Sequence, residues 1–458
     1  MKETTLDRTR APEPGEVRPF DFPAVVRSRL NGPDTAELLI AGHGDLPLVT
    51  AEVVVEGGAA VEGSEEAGVA RLTSAALEAG TEVRDEEDLA WELERLGVDL
   101  ETSASWDAAS VGITVHVDRL DPAIELLAEI VRRPAFPEAP VARIRDEQLA
   151  KILQRKKEPR ALAADAAARF IFDDDVPYGR PILGRRQTVA DLGPAELRAF
   201  HEARYRAGSA AIIVTGAVEA DRARSVTERH FGDWRGESAS AREFTVSPRV
   251  EETRVFLVHR PGSVQSEIRM GHVGVTRHDE DYFPLVIMNT ILGGSFTSRL
   301  NMSLREEHGF TYGARSSFAF RRRPGPFTVD VAVASDVTAA AIEEALKEIH
   351  QLRDDGPTAD ELGSARDYLR GVMPLKLQTT DQVASRLSEL VVFDLPDDYF
   401  DTLRDRIAAV SGEDVHRVAR EHVRPDQLAI VVVGDADQVE GPVRALGIGE
   451  VEVHETLP

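Results

Sequence analysis

The chain repeats its own pattern once. AIELLAEI begins at Ala123 and AIEEALKEI at Ala341, 218 positions later. The apolar run AIIVTGAV carries Gly216 and AIVVVGDA carries Gly434, again 218 apart. Each run follows a helix-like segment, ELRAFHEARY in one half and DVHRVAREHV in the other. Upstream, ELERLGVDLETSAS aligns with SLREEHGFTYGARSS when Gly97 falls on Gly309, an offset of 212. The turn-rich stretch RRRPGP, 321–326, is read as the insertion that makes up the difference. Matches in one fixed order mark a duplicated unit, so whatever folds once must fold twice.

Each half starts with two strand-like runs, AELLIAG and LVTAEVVVEGG in the first, RVFLVHR and SEIRMGHVG in the second. A helix follows (VARLTSAALEAG; FPLVIMNTIL), then a second short helix, a hairpin, more helices and a final strand rich in Ile and Val. This order predicts an α+β fold of two homologous halves, each a mostly antiparallel sheet with helices packed on one face. The predicted boundaries are a tail over 1–18, a first half over 19–234, a linker over 235–250 and a second half over 251–458. The linker segment is polar and lacks periodicity.

Composition narrows the partners. The chain has 458 residues and a net charge of −26. Such a surface repels phosphate backbones and anionic lipid, so neither nucleic acid nor a membrane is expected as a partner. There are no cysteines, which excludes disulfides, thiol nucleophiles and thiolate metal sites. The opening MKETTLDRTRAPEPGE lacks the apolar core of a signal peptide, and no run of about 18 apolar residues occurs. The expected location is the cytoplasm.

Two long segments then bring a family into view. NTILGGSFTSRLNMSLREEHGFTYGARSSF resembles the non-catalytic half of pitrilysin/insulinase-type zinc peptidases, a family that includes mitochondrial processing peptidase. VPYGRPILGRRQTVADLGPAELRAFHEARYRAGSAAIIVTGAV resembles the segment after the catalytic motif, and PGSVQSEIRMG also fits. Together the matches span roughly residues 19–440. The resemblance implies a zinc site in the inverted motif H-x-x-E-H on the first helix of the first half. Two His at i and i+4 share a helical face and bind zinc, and the Glu between them acts as base for a metal-bound water. A Glu on a later helix completes the ligands. In this chain the matching segment is GVARLTSAALEAGT, with the register set by Gly80-Thr81. Arg71 then replaces the first His, Ser74 the Glu and Ala75 the second His; the distal position falls on Lys151, with Glu147 one turn earlier. No metal ligand set and no cofactor are expected in this chain. The twelve His include no pair at i, i+4, and His116 reads as a structural strand residue.

The resemblance also implies a role for Arg305 and Tyr312 in LREEHGFTY. In two-subunit relatives the matching Arg and Tyr come from the zinc-less subunit and bind substrate near the partner's metal. An Arg fork and a phenolic donor suit a peptide carbonyl or a developing oxyanion. The competing reading is a surface Arg and a half-buried strand Tyr. At offset 212 the first half carries Leu93 and Leu100 at the matching positions. Upkeep of the fold therefore does not demand Arg and Tyr there. Gly293 and Gly294 read either as room for a substrate backbone or as a tight turn. Gly179 and Gly184 have phosphate-loop spacing, but Arg185 and Arg186 stand where Lys and Ser/Thr belong. Asp173 to Asp175 read as a solvated loop.

The expected function is therefore a catalytically incomplete subunit of a heterodimeric zinc peptidase acting on unfolded peptides. Its substrate-binding residues are Arg305 and Tyr312, with zinc in a paralogous partner and no activity alone. The alternatives are an inactive scaffold subunit of a larger complex and a homodimeric peptide-binding protein.

Overall fold

The computed structural model describes residues 20–240 and 242–457, so the predicted tail over 1–18 lies outside the described residues. The first half runs β1 (Val25–Arg29), β2 (Glu37–Gly42), β3 (Leu48–Val55), α1 (Val69–Ala76), α2 (Glu86–Leu96), β4 (Leu100–Ala104) and β5 (Ala109–His116). It continues with α3 (Leu120–Arg132), α4 (Glu138–Lys157), α5 (Pro159–Ile171), α6 (Arg186–Ala190), α7 (Pro194–Arg204), β6 (Ala210–Gly216) and α8 (Ala220–Phe231). Helix ends follow local chemistry. Asp85 caps α2 by accepting from the Asp88 amide, three acidic residues fill its first turn, and Gly97 closes it at φ +70°.

The second half runs β7 (Arg254–His259), β8 (Gln265–Val273), α9 (Tyr282–Asn289), α10 (Arg299–Asn301), β9 (Ala314–Phe318), β10 (Pro326–Ala334) and α11 (Thr338–Asp355). Then come α12 (Ala359–Val372), α13 (Thr380–Val392), α14 (Tyr399–Ala409), α15 (Gly412–His422), β11 (Ala429–Gly434), α16 (Ala436–Ala445) and β12 (Glu450–His454). Helices α7 and α15 match residue for residue at the 218 offset. Among its described residues the predicted linker adds no helix or strand. It lies along the protein, with Arg249 N donating to Ile171 O and Asp173 N to Ser247 O.

The two sheets have strand orders β1-β2-β6-β3-β5-β4 and β12-β7-β11-β8-β10-β9. Five strands correspond and the sixth does not. The first sheet takes β1 from the N-terminal side, antiparallel to β2; the second takes β12 from the C-terminal side, parallel to β7. Four of the five pairs are antiparallel in the first sheet and three of five in the second. The α+β architecture of two homologous halves is thus as expected.

Strand register corrects the alignment between the halves. Ala104 pairs with Ala109, and Phe318 with Phe327. The offset is therefore already 214 at the edge strand, β4 or β9, and 218 at its neighbour. Two residues enter before β9 and four more in the hairpin loop, rather than six in RRRPGP. Leu100 and Ala314 are structural equivalents, facing Ile113 and Val331. Tyr312 therefore lies in 310–313, four residues where the first half has two, Val98 and Asp99, and Leu100 is not its counterpart. The pairing of Arg305 with Leu93 stands, because Gly97 and Gly309 both close their turns at positive φ.

The enlarged hairpin tip reaches its counterpart in the other half. The Arg321 guanidinium lies 3.6 Å from the centroid of the Trp106 ring and 4.5 Å from that of Tyr178. Arg322 N donates to Asp107, whose other oxygen accepts from the Tyr178 hydroxyl at 2.6 Å. Arg322 also pairs with Glu56 at 2.8 Å.

Both faces of each sheet are covered. One face packs against helices of its own half. The other face receives a helix from the opposite half: α5 lies on β8 and β11, and α13 on β3 and β6. Ala210, Ile212 and Val214 of β6 face the first core, while Ala211 and Ile213 face α13. Along β11, Ile430 and Val432 face one core and Ala429, Val431 and Val433 the other. Burial on both faces explains why these strands read as unbroken apolar runs. Buried polar bonds align the exchange. The Thr215 hydroxyl donates to Thr380 O at 2.7 Å, and the Ser388 hydroxyl donates to Glu52 at 2.8 Å.

Candidate functional site

Helix α10 widens into a π-helical turn over Met302–Glu307, which closes at Gly309 before β9 begins. Arg305 sits in that turn. Its guanidinium lies 4.4 Å from the centroid of the Phe296 ring, and its Nε is 3.6 Å from Glu306. Phe296 is itself exposed. The Arg305 side chain is therefore oriented on the surface without a full ion pair, and most of its donors are free for a ligand. Tyr312 follows on the short loop into β9 and is 97% exposed. The loop backbone is held by its neighbours: Thr311 Oγ1 donates to Gly313 O, and Ala314 N donates to Asn301 Oδ1. The reading of Tyr312 as a half-buried strand residue is thus excluded. In the first half Leu93 packs against the core instead. Gly293 approaches its own chain, since a Cβ there would meet Ser316 N at 2.3 Å.

The segment that would carry a zinc motif forms α1. Gly68 opens the helix at φ +101°, and the Gly68 and Ala70 amides donate to the buried Glu62 carboxylate at 3.0 and 2.7 Å. Burial pushes the Glu62 carboxyl up to about 7, against the pull of those two amides and of Arg180. At the first metal position the Arg71 guanidinium is half-buried, with Nη1 unbonded. Arg71 acts electrostatically on Glu78, whose carboxyl burial pushes up. Ser74 is fully buried and donates to Ser103 O of β4 at 3.0 Å. Ala75 packs against the core. On α4, Lys151 is exposed and Glu147 is paired with Arg143 at 2.6 Å. The donor set at these positions is a guanidinium, a committed hydroxyl, a methyl and an ammonium. It does not fit a zinc ion.

Helical spacing alone missed two groupings of possible ligand atoms: His259 with Asp435 and Asp437, and Asp279 with Asp281 and His422. Strand and loop neighbours bring them together, so no i, i+4 pattern announces them. Asp281 is already saturated by Arg417 and by His422 at 2.8 Å, and these bonds hold its carboxyl down at about 2. His259 Nδ1 accepts from the Ala436 amide, and one Asp435 oxygen accepts from Gly262 N and the Gln438 amide. The first group thus binds the protein's own backbone, and Asp281 of the second is held by the protein's own side chains. No described helix is long and apolar enough to cross a membrane.

Residues 45–184 match a family model described as insulinase (peptidase family M16), and residues 191–369 match one described as peptidase M16 inactive domain. An uncharacterized zinc protease of Mycobacterium bovis is 28% identical over 377 residues, 81% of this chain and 85% of that protein. A protein of Helicobacter pylori named a non-peptidase homolog is 20% identical over 85% of this chain and 90% of its own. Among solved structures, a peptidase M16 inactive domain from Pseudomonas fluorescens superposes with a TM-score of 0.84 at 26% identity, covering 90% of this chain and 98% of that one.

Proposed function

Because the chain belongs to the M16, insulinase-type peptidase family, we propose that it is the zinc-less subunit of a two-chain peptidase acting on unfolded peptides. In this reading a paralogous partner carries H-x-x-E-H and its zinc. This chain contributes Arg305 and Tyr312 as substrate-binding residues and holds no metal or cofactor of its own. The observation that carries the reading is Tyr312: a phenol 97% exposed, in a loop two residues longer than its first-half equivalent. An aromatic this exposed suits a group that acts on something outside its own chain. Arg305 adds a permanent charged fork with few internal partners. Bound to a substrate carbonyl, the two would donate to its oxygen where negative charge grows during hydrolysis, while a zinc held by the partner would supply the activation of water. One such donor is worth about 3 kcal/mol in comparable sites.

The test is peptidase activity on an unstructured fluorogenic peptide, with the chain alone and with a co-expressed H-x-x-E-H paralogue, each with a chelator control. Activity in the mixture alone, abolished by chelator, supports the proposal. A well-formed complex with a competent partner and no turnover sinks it. That result would favour an inactive scaffold, which suits the name of the Helicobacter relative.

A further inference from the structure

One cavity shares no lining residue with the surface around Phe296, Arg305 and Tyr312. It holds about 160 Å³ and opens among α9, α12, α13 and α14. Its walls include Val286, Leu369, Met373, Leu377, Phe400 and Leu403. Its lining also includes three cations, Arg277, Lys376 and Arg386, against one carboxylate, Glu389. That carboxylate is engaged by Arg386. Arg277 is only 5% exposed. Its Nη2 donates to the Tyr399 hydroxyl at 2.7 Å, and its guanidinium carbon lies 3.7 Å from the Tyr282 ring centroid and 4.8 Å from that of Tyr399. No carboxylate among the described residues pairs with it. A buried guanidinium without a counter-ion is costly, and the two ring faces offset only part of that cost. The larger cleft at the seam of the halves, about 500 Å³, is different: its Arg27, Arg322 and Arg323 are paired with Glu37, Glu56 and Glu243.

We propose that this cavity binds a monocarboxylate carried on an apolar group of ring size, with the carboxylate on Arg277 and the apolar group among α9, α12 and α14. The volume sets the size, since an apolar cavity of about 150 Å³ accommodates benzene. The charge sets the head group. At a net −26 the molecule repels anions at long range, so the local cations select for one that fits. A free small acid and the C-terminal residue of a peptide share this chemistry. Occupancy would brace α13, the helix laid beneath the first sheet.

The test is calorimetric titration of the intact chain with benzoate, benzyl alcohol, and acetyl-Gly-Gly-Phe as the acid and as the amide. Benzoate should bind at least tenfold tighter than benzyl alcohol. Arg277→Gln and, separately, Val286→Phe should each weaken benzoate at least tenfold. The second variant fills the cavity and leaves Arg277 in place, so a misfolded Arg277 variant does not leave the matter open. The peptide acid binding tighter than benzoate and than its own amide would identify a peptide terminus as the ligand; benzoate binding tighter would identify a free acid. Benzoate no tighter than benzyl alcohol, or unaffected by Val286→Phe, overturns the proposal. Arg305→Ala should leave benzoate binding unchanged, which separates this site from the peptidase reading.

Discussion

At the scale of single residues, function and stability separate. Arg305 touches the exposed Phe296 ring and Glu306, and Tyr312 is almost fully exposed, so Arg305→Ala and Tyr312→Phe should each change unfolding free energy by no more than about 1 kcal/mol. In the reconstituted pair each should lower kcat/KM by about 100-fold, read by peptide turnover at matched subunit concentration. Glu62 behaves in the opposite way. Its folded carboxyl titrates at about 7 against an ordinary 4.5, so the folded state favours the protonated acid. Stability therefore falls as pH rises from about 4.5 to 7, by up to about 3 kcal/mol, and is not lost further above that. Glu62→Gln should remove this slope. Denaturant midpoints of the two proteins at pH 4.5 and 8 measure it, and parallel curves would show that Glu62 is not the cause. The loss of imidazoles at Arg71, Ser74 and Ala75 was legible in the sequence, because residue identity is a local fact. The exposure of Tyr312 was not. It depends on a two-residue insertion visible only through strand register.

At the scale of elements, the exchanged helices carry the fold. Leu387 of α13 is fully buried against the first sheet, although it belongs to the second half. Leu387→Ala should cost about 3 kcal/mol. It should raise amide exchange in β3 and β6, some 170 or more residues away in the chain. Exchange that rises within the second half alone would contradict the exchange of helices. Phe170 of α5 stacks on Phe256 of β7 at 4.0 Å, so Phe170→Ala should weaken the second sheet by a similar amount. Helices α7 and α15 were readable from periodicity, as were the strands β6 and β11. Which helix covers the second face of those strands was not readable. An apolar run buried on both faces has the same pattern whatever lies on it.

At the scale of the whole molecule, the two halves form one cooperative unit. Separating them would strip α13 from Leu39, Val54 and Ile213, and α5 from Phe256, Val431 and Val433. The hairpin tips at Trp106 and Arg321 add a third contact. Calorimetry of the full chain should show one transition, and residues 20–234 expressed alone should aggregate through the uncovered sheet face. Two separated transitions would mean that the halves fold independently. The sequence by itself determined the duplication, the α+β class, the family and the absence of a zinc motif. Each is written in residue identity and short-range periodicity. Only the tertiary structure decided that each sheet borrows a helix from the other half, that the sixth strands come from opposite ends of the chain, and that Arg277 is enclosed by rings with no paired carboxylate among the described residues. These depend on which distant surfaces meet, and packing between segments hundreds of residues apart leaves no periodic trace in either one.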